Sequence, residues 1–393
     1  MQVRLAVVFG SAGQRMGRDT EPPNEVRQVL VVHLFEIGDV VMLSPFLREL
    51  RRFLPSARIT LVVKPDLKNL VEMCPYVSEV LTYEANQRPL WRPLILPWQA
   101  FWTMRTWRRT RQFDLALVPS WQADNSYQSF LAYFSGAGWR IGYSETISPR
   151  RRRLNRGFDQ LFTRTLLCDG VAHEVERNLA VVSLLGGNAE QTMLELWTMP
   201  EDEAFAQDFW AAHRGSNPVV ALCPTAGHSS LKQWPLEHFV ALARRLHERS
   251  VQVLVVGGPG DKALGAAFGD QAINAVGKTT LRQMAALLRG CAGFVGNDAG
   301  PMHIAAAVGV PVTAIFGSSC SHRFGPWGPK HLVVSHELPC SPCGRGHDAE
   351  RCVRCIFPEP RCLTEITVDE VLRSVLLLLP RCPSEMPSGA EPM

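Results

Sequence analysis

Short apolar runs of strand length alternate with stretches of helical period along most of the chain. Residues 29–34 form the first such run, and Gly38-Asp39 follows it. Leu43, Phe46, Leu47, Leu50 and Leu54 then recur at helical spacing until Pro55 stops them. Residues 59–63 and 115–118 are further predicted strands, and Arg140-Ile141-Gly142 belongs to another. After residue 218 the alternation resumes. Strands are expected at 219–222, 251–256, Phe294-Val295 and 312–316, with helices at 235–247, at 280–288 and from Pro301 onward. Strands separated by helices predict parallel sheets covered on both faces. The fold class is therefore α/β, with two doubly wound domains.

The expected division is a loose leader (1–26), an N-terminal domain (27–190) and a linker region (191–217). A C-terminal domain (218–366) follows, with a Cys-rich segment at 340–362. A helix (367–380) and a disordered tail (381–393) end the chain. The last helix opens with Thr367 and Glu370 at capping-box spacing, and its apolar positions are expected to pack back across the two domains. In the leader, Gly10, Gly13 and Gly17 have the wrong spacing for a dinucleotide fingerprint.

Composition narrows the class. The 393 residues are 46% hydrophobic and 20% charged, as in a folded soluble protein. No run reaches the eighteen apolar residues of a membrane span, and the apolar run at 5–9 lacks signal-peptide design. A cytoplasmic location is the expectation. The net charge of +4 is too small to argue for nucleic acid as a partner. Eleven cysteines are present, five of them between Cys340 and Cys362. The rest are scattered, as expected of buried thiols in a reducing compartment.

Three segments carry candidate chemistry. In Gly296-Asn297-Asp298-Ala299-Gly300-Pro301-Met302-His303 a strand feeds a tight turn, and Pro301 suits the first turn of a helix. Backbone N–H groups there would attract phosphate oxygens, and Gly300 would let a ligand approach closely. Asp298 would be repelled by a diphosphate, so it suits sugar hydroxyls; simple capping of the helix is the alternative. In Thr225-Ala226-Gly227-His228-Ser229-Ser230-Leu231-Lys232-Gln233-Trp234-Pro235 the loop lies just after a strand, where open α/β sheets bind ligands. Only six of the 41 basic residues are Lys, and Lys232 is a compact cation suited to a diphosphate, or else a solvated loop lysine. Trp234-Pro235 reads as structural. In Gly38-Asp39 the carboxylate could take a proton from a hydroxyl, or merely cap a helix. Asp261, at a later strand end, could hold ribose hydroxyls.

Other features are less specific. Cys340, Cys343, Cys352 and Cys355 are paired CxxC units that could hold a structural zinc, although their spacing is short for a ribbon and Cys362 makes a fifth thiol. Reduced thiols are the alternative. Trp98, Phe101, Trp102, Arg105, Trp107, Arg108, Arg109 and Arg111 form one basic aromatic region, and Arg150, Arg151, Arg152, Arg153 and Arg156 form another. They suit an anionic membrane surface or acceptor phosphates, the alternative being a solvated face. Gly38, Lys64, Arg150 and Arg151 are the candidate acceptor-side residues.

Taken together these segments resemble glycosyltransferase family 9, the ADP-heptose:lipopolysaccharide heptosyltransferases, over about residues 29–379. Gly38-Asp39, Lys232-Gln233-Trp234-Pro235 and the 297–303 motif carry the resemblance. His173-Glu174-Val175-Glu176-Arg177-Asn178, Phe316-Gly317 and Cys340-Ser341-Pro342-Cys343 are softer matches. The resemblance implies a GT-B fold with acceptor and donor lobes. It implies inverting, cofactor-free transfer of heptose from ADP-L-glycero-D-manno-heptose to the lipopolysaccharide core, by an enzyme touching the inner membrane peripherally. It makes Asp39 the base, Lys232 the cation on the leaving diphosphate and Asp298 the carboxylate on the heptose. Thr225, Gly227, Gly300, Pro301, Met302 and His303 then fall in the donor loops. Asp261 stands where Glu is usual, Cys355 is an extra thiol, and the leader has no counterpart. Transfer from another nucleotide sugar, a non-catalytic nucleotide-binding protein and a metal-centred regulatory protein are the competing readings.

Overall fold

A computed structural model describes residues 25–85, 92–167, 172–227, 229–343 and 355–379. The expected leader, apart from its last two residues, and the expected tail lie outside the described residues. The chain forms two compact units. The described residues up to Met199, joined by His322–Phe324, make the first. The described residues from Pro200 onward, without those three, make the second.

The first unit is built on β1 (Gln28–Val32), β2 (Arg58–Val63), β3 (Glu79–Thr82), β4 (Leu115–Val118), β5 (Trp139–Tyr143) and β6 (Arg164–Leu166). All pair in parallel, in the order β3-β2-β1-β4-β5-β6. Val29 aligns with Ile59 on one side and Leu115 on the other. These central strands are apolar on both faces because helices cover both, which is why they read as continuous runs instead of alternating ones. Leu30, Val32, Leu96, Ala100, Met104, Val118, Phe130 and Phe158 belong to one core layer.

The second unit repeats the plan with β7 (Val219–Cys223), β8 (Gln252–Val255), β9 (Ile273–Asn274), β10 (Gly293–Asn297), β11 (Val312–Phe316) and β12 (His331–Ser335). Its order is β12-β11-β10-β7-β8-β9, again parallel. In both sheets the strand order reverses once: between β1 and β4, and between β7 and β10. Crossovers leave these points in opposite directions, so the loops at the carboxyl ends there are left open to ligands.

Two expectations about organisation give way. The 191–217 region is not a plain linker, because Pro200–His213 is a helix. Pro200 opens it, and Glu201, Asp202 and Glu203 occupy its first turn, where the helix dipole favours acids. Buried Asp202 accepts a 2.8 Å bond from Arg282 on the Leu281–Arg289 helix, fastening the segment to the second unit. The final helix, Val368–Leu378, does start at a Thr367–Glu370 capping box. Its Val371, Leu372 and Val375 enter the core of the second unit, so the apolar face expected to bridge the domains is used within one of them.

Trp234 anchors that core. It is almost fully buried, its indole N–H donates to the Ile366 carbonyl at 2.9 Å, and its backbone N–H donates to Asn297 Oδ1 at 3.0 Å. Trp234→Ala is expected to cost about 3–5 kcal/mol of stability, through the cavity and the orphaned carbonyl. Urea unfolding of the purified variant checks this; an unchanged midpoint would contradict it.

Candidate active site

The end of β1 leads through Glu36 into the helix Ile37–Val41, with Asp39 at its third position. Asp39 Oδ2 accepts the Glu36 backbone N–H at 3.2 Å, closing a capping box, so the capping alternative is realised in part. The other oxygen has a partner that capping does not need. Gln122 Nε2 donates to Asp39 Oδ1 at 2.9 Å. Gln122 lies in the loop after β4, the strand that flanks β1 at the reversal.

Burial pushes the Asp39 carboxyl up to about 7, and the nearby Glu174 charge adds to the rise. The Glu36 N–H and the Arg323 guanidinium oppose it less strongly. A carboxyl poised near neutrality can give or take a proton at working pH. His33, also at the end of β1, is buried with its Nδ1 3.4 Å from Ser120 Oγ. Burial lowers it to about 4, which keeps the ring neutral.

Arg151 is 1% exposed, and its guanidinium is turned inward. It donates to the carbonyls of Ser120 (2.7 Å), Gln122 (2.5 Å) and Tyr143 (2.8 Å), and also to that of Trp121. The acceptor contact expected of its side chain is replaced by a structural one: it holds the loop that carries Gln122. Arg150 lies half-buried in the same helix, Pro149–Leu154. Lys64 follows β2 and pairs with Glu36 at 2.8 Å, beside the Asp39 turn, while Gly38 is buried within that turn.

In the second unit, the loop after β7 and the turn after β10 meet. Asn297 clasps them: its Nδ2 donates to the carbonyls of Pro224 (3.0 Å) and Thr225 (3.4 Å), and its Oδ1 accepts from Trp234. Lys232 and Asp298 form an ion pair through Nζ and Oδ2. Burial alone would raise Asp298, but the charge and hydrogen bond of Lys232, with Ser319 and His303, hold it below the usual carboxylate value. Asp298 thus stays ionised near neutral pH, where Asp39 is only partly so. Thr225 Oγ1 accepts the Gly227 N–H at 3.2 Å, and Gly227 takes φ +60°, a conformation that favours glycine.

The helix Gly300–Ala307 begins here as expected, with fewer free donors than the sequence suggests. Pro301 has no N–H, and Met302 donates to the Ala299 carbonyl at 3.1 Å. The Met302 side chain is fully buried, and His303 nearly so. Asp261 spends one oxygen on the Gly258 N–H at 2.8 Å, closing its own turn.

Among the described residues no group of three or more His, Cys, Asp or Glu side chains is arranged to hold a metal ion. Of the expected zinc set, Cys352 lies outside the described residues. Burial pushes the Cys362 thiol up to about 11, with Cys340 and Cys355 contributing, so the fifth cysteine is the one beside them. The basic aromatic helix Arg92–Trp107 buries Leu96, Ala100 and Met104 and leaves Trp98 53% and Trp102 58% exposed.

Reading by motif missed Trp121, Gln122 and Arg323. Gln122 could have been found, since it lies four residues past a predicted strand end. Nothing local marks Arg323.

Two doubly wound units, each with a parallel sheet and polar side chains gathered where its strand order reverses, make up the GT-B fold. The chain belongs to glycosyltransferase family 9 (heptosyltransferase), whose family model matches residues 104–354. It is 26% identical over 332 residues to lipopolysaccharide heptosyltransferase 2 of Salmonella typhimurium, covering 78% of this chain and 87% of that protein. With the Escherichia coli K12 protein of the same name the identity is 25% over 331 residues, with the same coverage. The fold is similar to the crystal structure of a family 9 glycosyltransferase from Veillonella parvula. The TM-score is 0.73 at 22% identity, covering 91% of this chain and 99% of that one. It is also similar to E. coli ADP-heptose LPS heptosyltransferase II, with a TM-score of 0.66 at 22% identity and coverage of 89% and 98%. Among the described residues no helix is long and apolar enough to cross a membrane.

Asp39 is expected to titrate near pH 7, far above the ordinary 3.8. Folded protein then holds this proton up to about pH 7, whereas unfolded chain releases it near 4. Its contribution to stability is therefore full below about pH 4, is lost progressively as pH rises to about 7, and changes no further above that. Asp39→Asn should remove that loss, so the variant gains on wild type as pH rises from about 4 to about 7. Thermal unfolding across that range reads it, and parallel curves for the two proteins would contradict the assignment.

Proposed function

We propose that this glycosyltransferase moves heptose from ADP-L-glycero-D-manno-heptose to the lipopolysaccharide core, with inversion and without a metal. One observation carries the chemistry: at the two strand-order reversals one buried carboxylate, Asp298, is ion-paired with Lys232, while the other, Asp39, meets an amide and a backbone N–H. Among the described residues no cation pairs directly with Asp39, and it titrates near neutrality. Asp298 is ion-paired and stays charged. The names of similar proteins, which carry lipopolysaccharide, ADP-heptose and heptosyltransferase, support the substrate class, and the heptose configuration is part of the proposal.

In this reading Asp39 removes the proton of an acceptor hydroxyl as that oxygen attacks the anomeric carbon. The bond from that carbon to the diphosphate oxygen breaks, and ADP leaves from the opposite face. Lys232 and the Gly300 turn take up the charge that builds on the departing phosphate. Asp298 releases part of its hold on Lys232 and accepts hydrogen bonds from heptose hydroxyls. Thr225 and Gly227 line the donor loop, and His303 helps keep Asp298 charged. Asp261 offers its remaining oxygen to ribose. Gly38, Lys64 and Arg150 serve the acceptor, with Lys64 and Arg150 meeting its anionic groups.

The acceptor is a lipid-linked glycan, so the enzyme works at the cytoplasmic face of the inner membrane and touches it peripherally. The Arg92–Trp107 helix supports this, since Arg105 lies 5.8 Å over the exposed Trp102 ring, pairing a cation with an interfacial aromatic.

Asp39→Ala is expected to lower kcat by about 10²–10⁴-fold while ADP binding is retained. Lys232→Ala should cost about 10²–10³-fold and weaken donor binding as well. Coupled ADP-release assays with heptose-deficient lipopolysaccharide, alongside calorimetry with ADP, check both; wild-type turnover in Asp39→Ala would remove the base. Replacing both Trp98 and Trp102 with Ser should weaken sedimentation with anionic vesicles several-fold while leaving turnover on a soluble, delipidated acceptor intact. Undiminished vesicle binding would rule out this face.

A further inference from the structure

We propose that Arg323 is a positioning residue for Asp39: it fixes the Trp121-Gln122 turn and offsets the charge of Glu174. The proposal rests on the reading of Asp39 as the base.

Three residues, His322–Phe324, complete the first unit although the chain on either side of them belongs to the second. Within that unit Arg323 is 5% exposed and pairs through Nε with Glu174 Oε1. Arg177 donates to the same oxygen at 3.2 Å. Both guanidinium groups stack on the Trp121 ring, at 3.8 Å for Arg177 and 4.4 Å for Arg323. Desolvated cation–π contacts of this kind hold an indole firmly. The next residue is Gln122, whose amide grips Asp39 Oδ1, and the carbonyls of this stretch are fixed by Arg151. A continuous path of contacts therefore runs from Arg323 through Trp121 and Gln122 to the carboxyl.

Arg323 also acts through charge. The ionisable groups around Asp39 are Glu36, which pairs with Lys64, the neutral His33, Glu174 with its partner Arg177, and Arg323. Glu174 favours the protonated form of Asp39, and Arg323 opposes it. Removing Arg323 leaves Glu174 paired with Arg177 but with one cation fewer, and deletes the cation that opposes protonation of Asp39, so both changes act in one direction.

The test is the pH profile of turnover. Arg323→Gln should move the acidic limb to higher pH, with a loss of about tenfold at pH 6.5 if the shift is one unit, and partial recovery by pH 9. The donor KM should stay within about twofold. Arg323→Lys keeps the charge and should restore most of the limb position, but it cannot reproduce planar stacking and should stay below wild-type kcat. Glu174→Gln should shift the limb the other way. It provides the test if Arg323→Gln does not fold. A limb unmoved in folded Arg323→Gln, or unmoved in Glu174→Gln, overturns the proposal, as does a loss confined to donor KM. Asp39→Asn separates this from the underlying reading. If Asp39→Asn is inactive and the limbs do not move, Arg323 loses its role and the base stands. If Asp39→Asn turns over normally, the base itself is wrong.

Discussion

A parallel sheet whose strand order reverses leaves one crevice at its carboxyl edge that no crossover helix covers. Both sheets of this protein reverse once, and nearly every polar side chain of interest lies at those two points. At β1 and β4 they are Asp39, Gln122 and, through its ring, Trp121. At β7 and β10 they are Thr225, Gly227, Lys232 and Asp298, with Asn297 tying one loop to the other. The adjacency of β1 to β4 is what brings residue 39 within hydrogen-bonding distance of residue 122. Replacing that order with any other would leave the same residues on separate edges.

Given the crevices, environment decides what each carboxylate can do. Both Asp39 and Asp298 are taken largely out of water, which favours the neutral acid. Asp298 escapes through Lys232 and remains an anion. Among the described residues Asp39 receives an amide and a backbone N–H, and Glu174 adds a like charge that Arg323 opposes less strongly. The same residue type is thereby suited to binding hydroxyls in one unit and to exchanging a proton in the other.

The eight inner strands and several helices were legible because both-faces burial writes itself as uninterrupted apolar runs, and because Pro and capping residues mark helix starts; the four edge strands, β3, β6, β9 and β12, are less buried and were not. The 297–303 turn and the loop around Lys232 were legible for the same reason, each following such a run. The helix Pro200–His213 was not, since the ion pairs that hold it, Asp202 with Arg282 and Glu203 with Arg289, join positions far apart in the chain. The docking of the final helix was equally hidden, because an amphipathic pattern states that a face is buried and not against what. Donor N–H groups at Gly300 to His303 were overcounted, because the count ignored the turn bond that Met302 makes to Ala299.

Arginine was the residue type most easily misread. In a chain where most cations are Arg, clusters such as 150–153 look like solvated or ligand-facing charge. A guanidinium has five donors in one plane, however, and can satisfy several carbonyls at once while remaining charged. Arg151 does this for the loop after β4, and Arg323 and Arg177 share Glu174 beneath Trp121. Buried arginines of this kind do the work that backbone hydrogen bonds cannot do in an open loop at a crevice, where no neighbouring strand is available. The loop that presents Gln122 to Asp39 is held by three of them, so its hold comes from long-range cation placement rather than from its own residues.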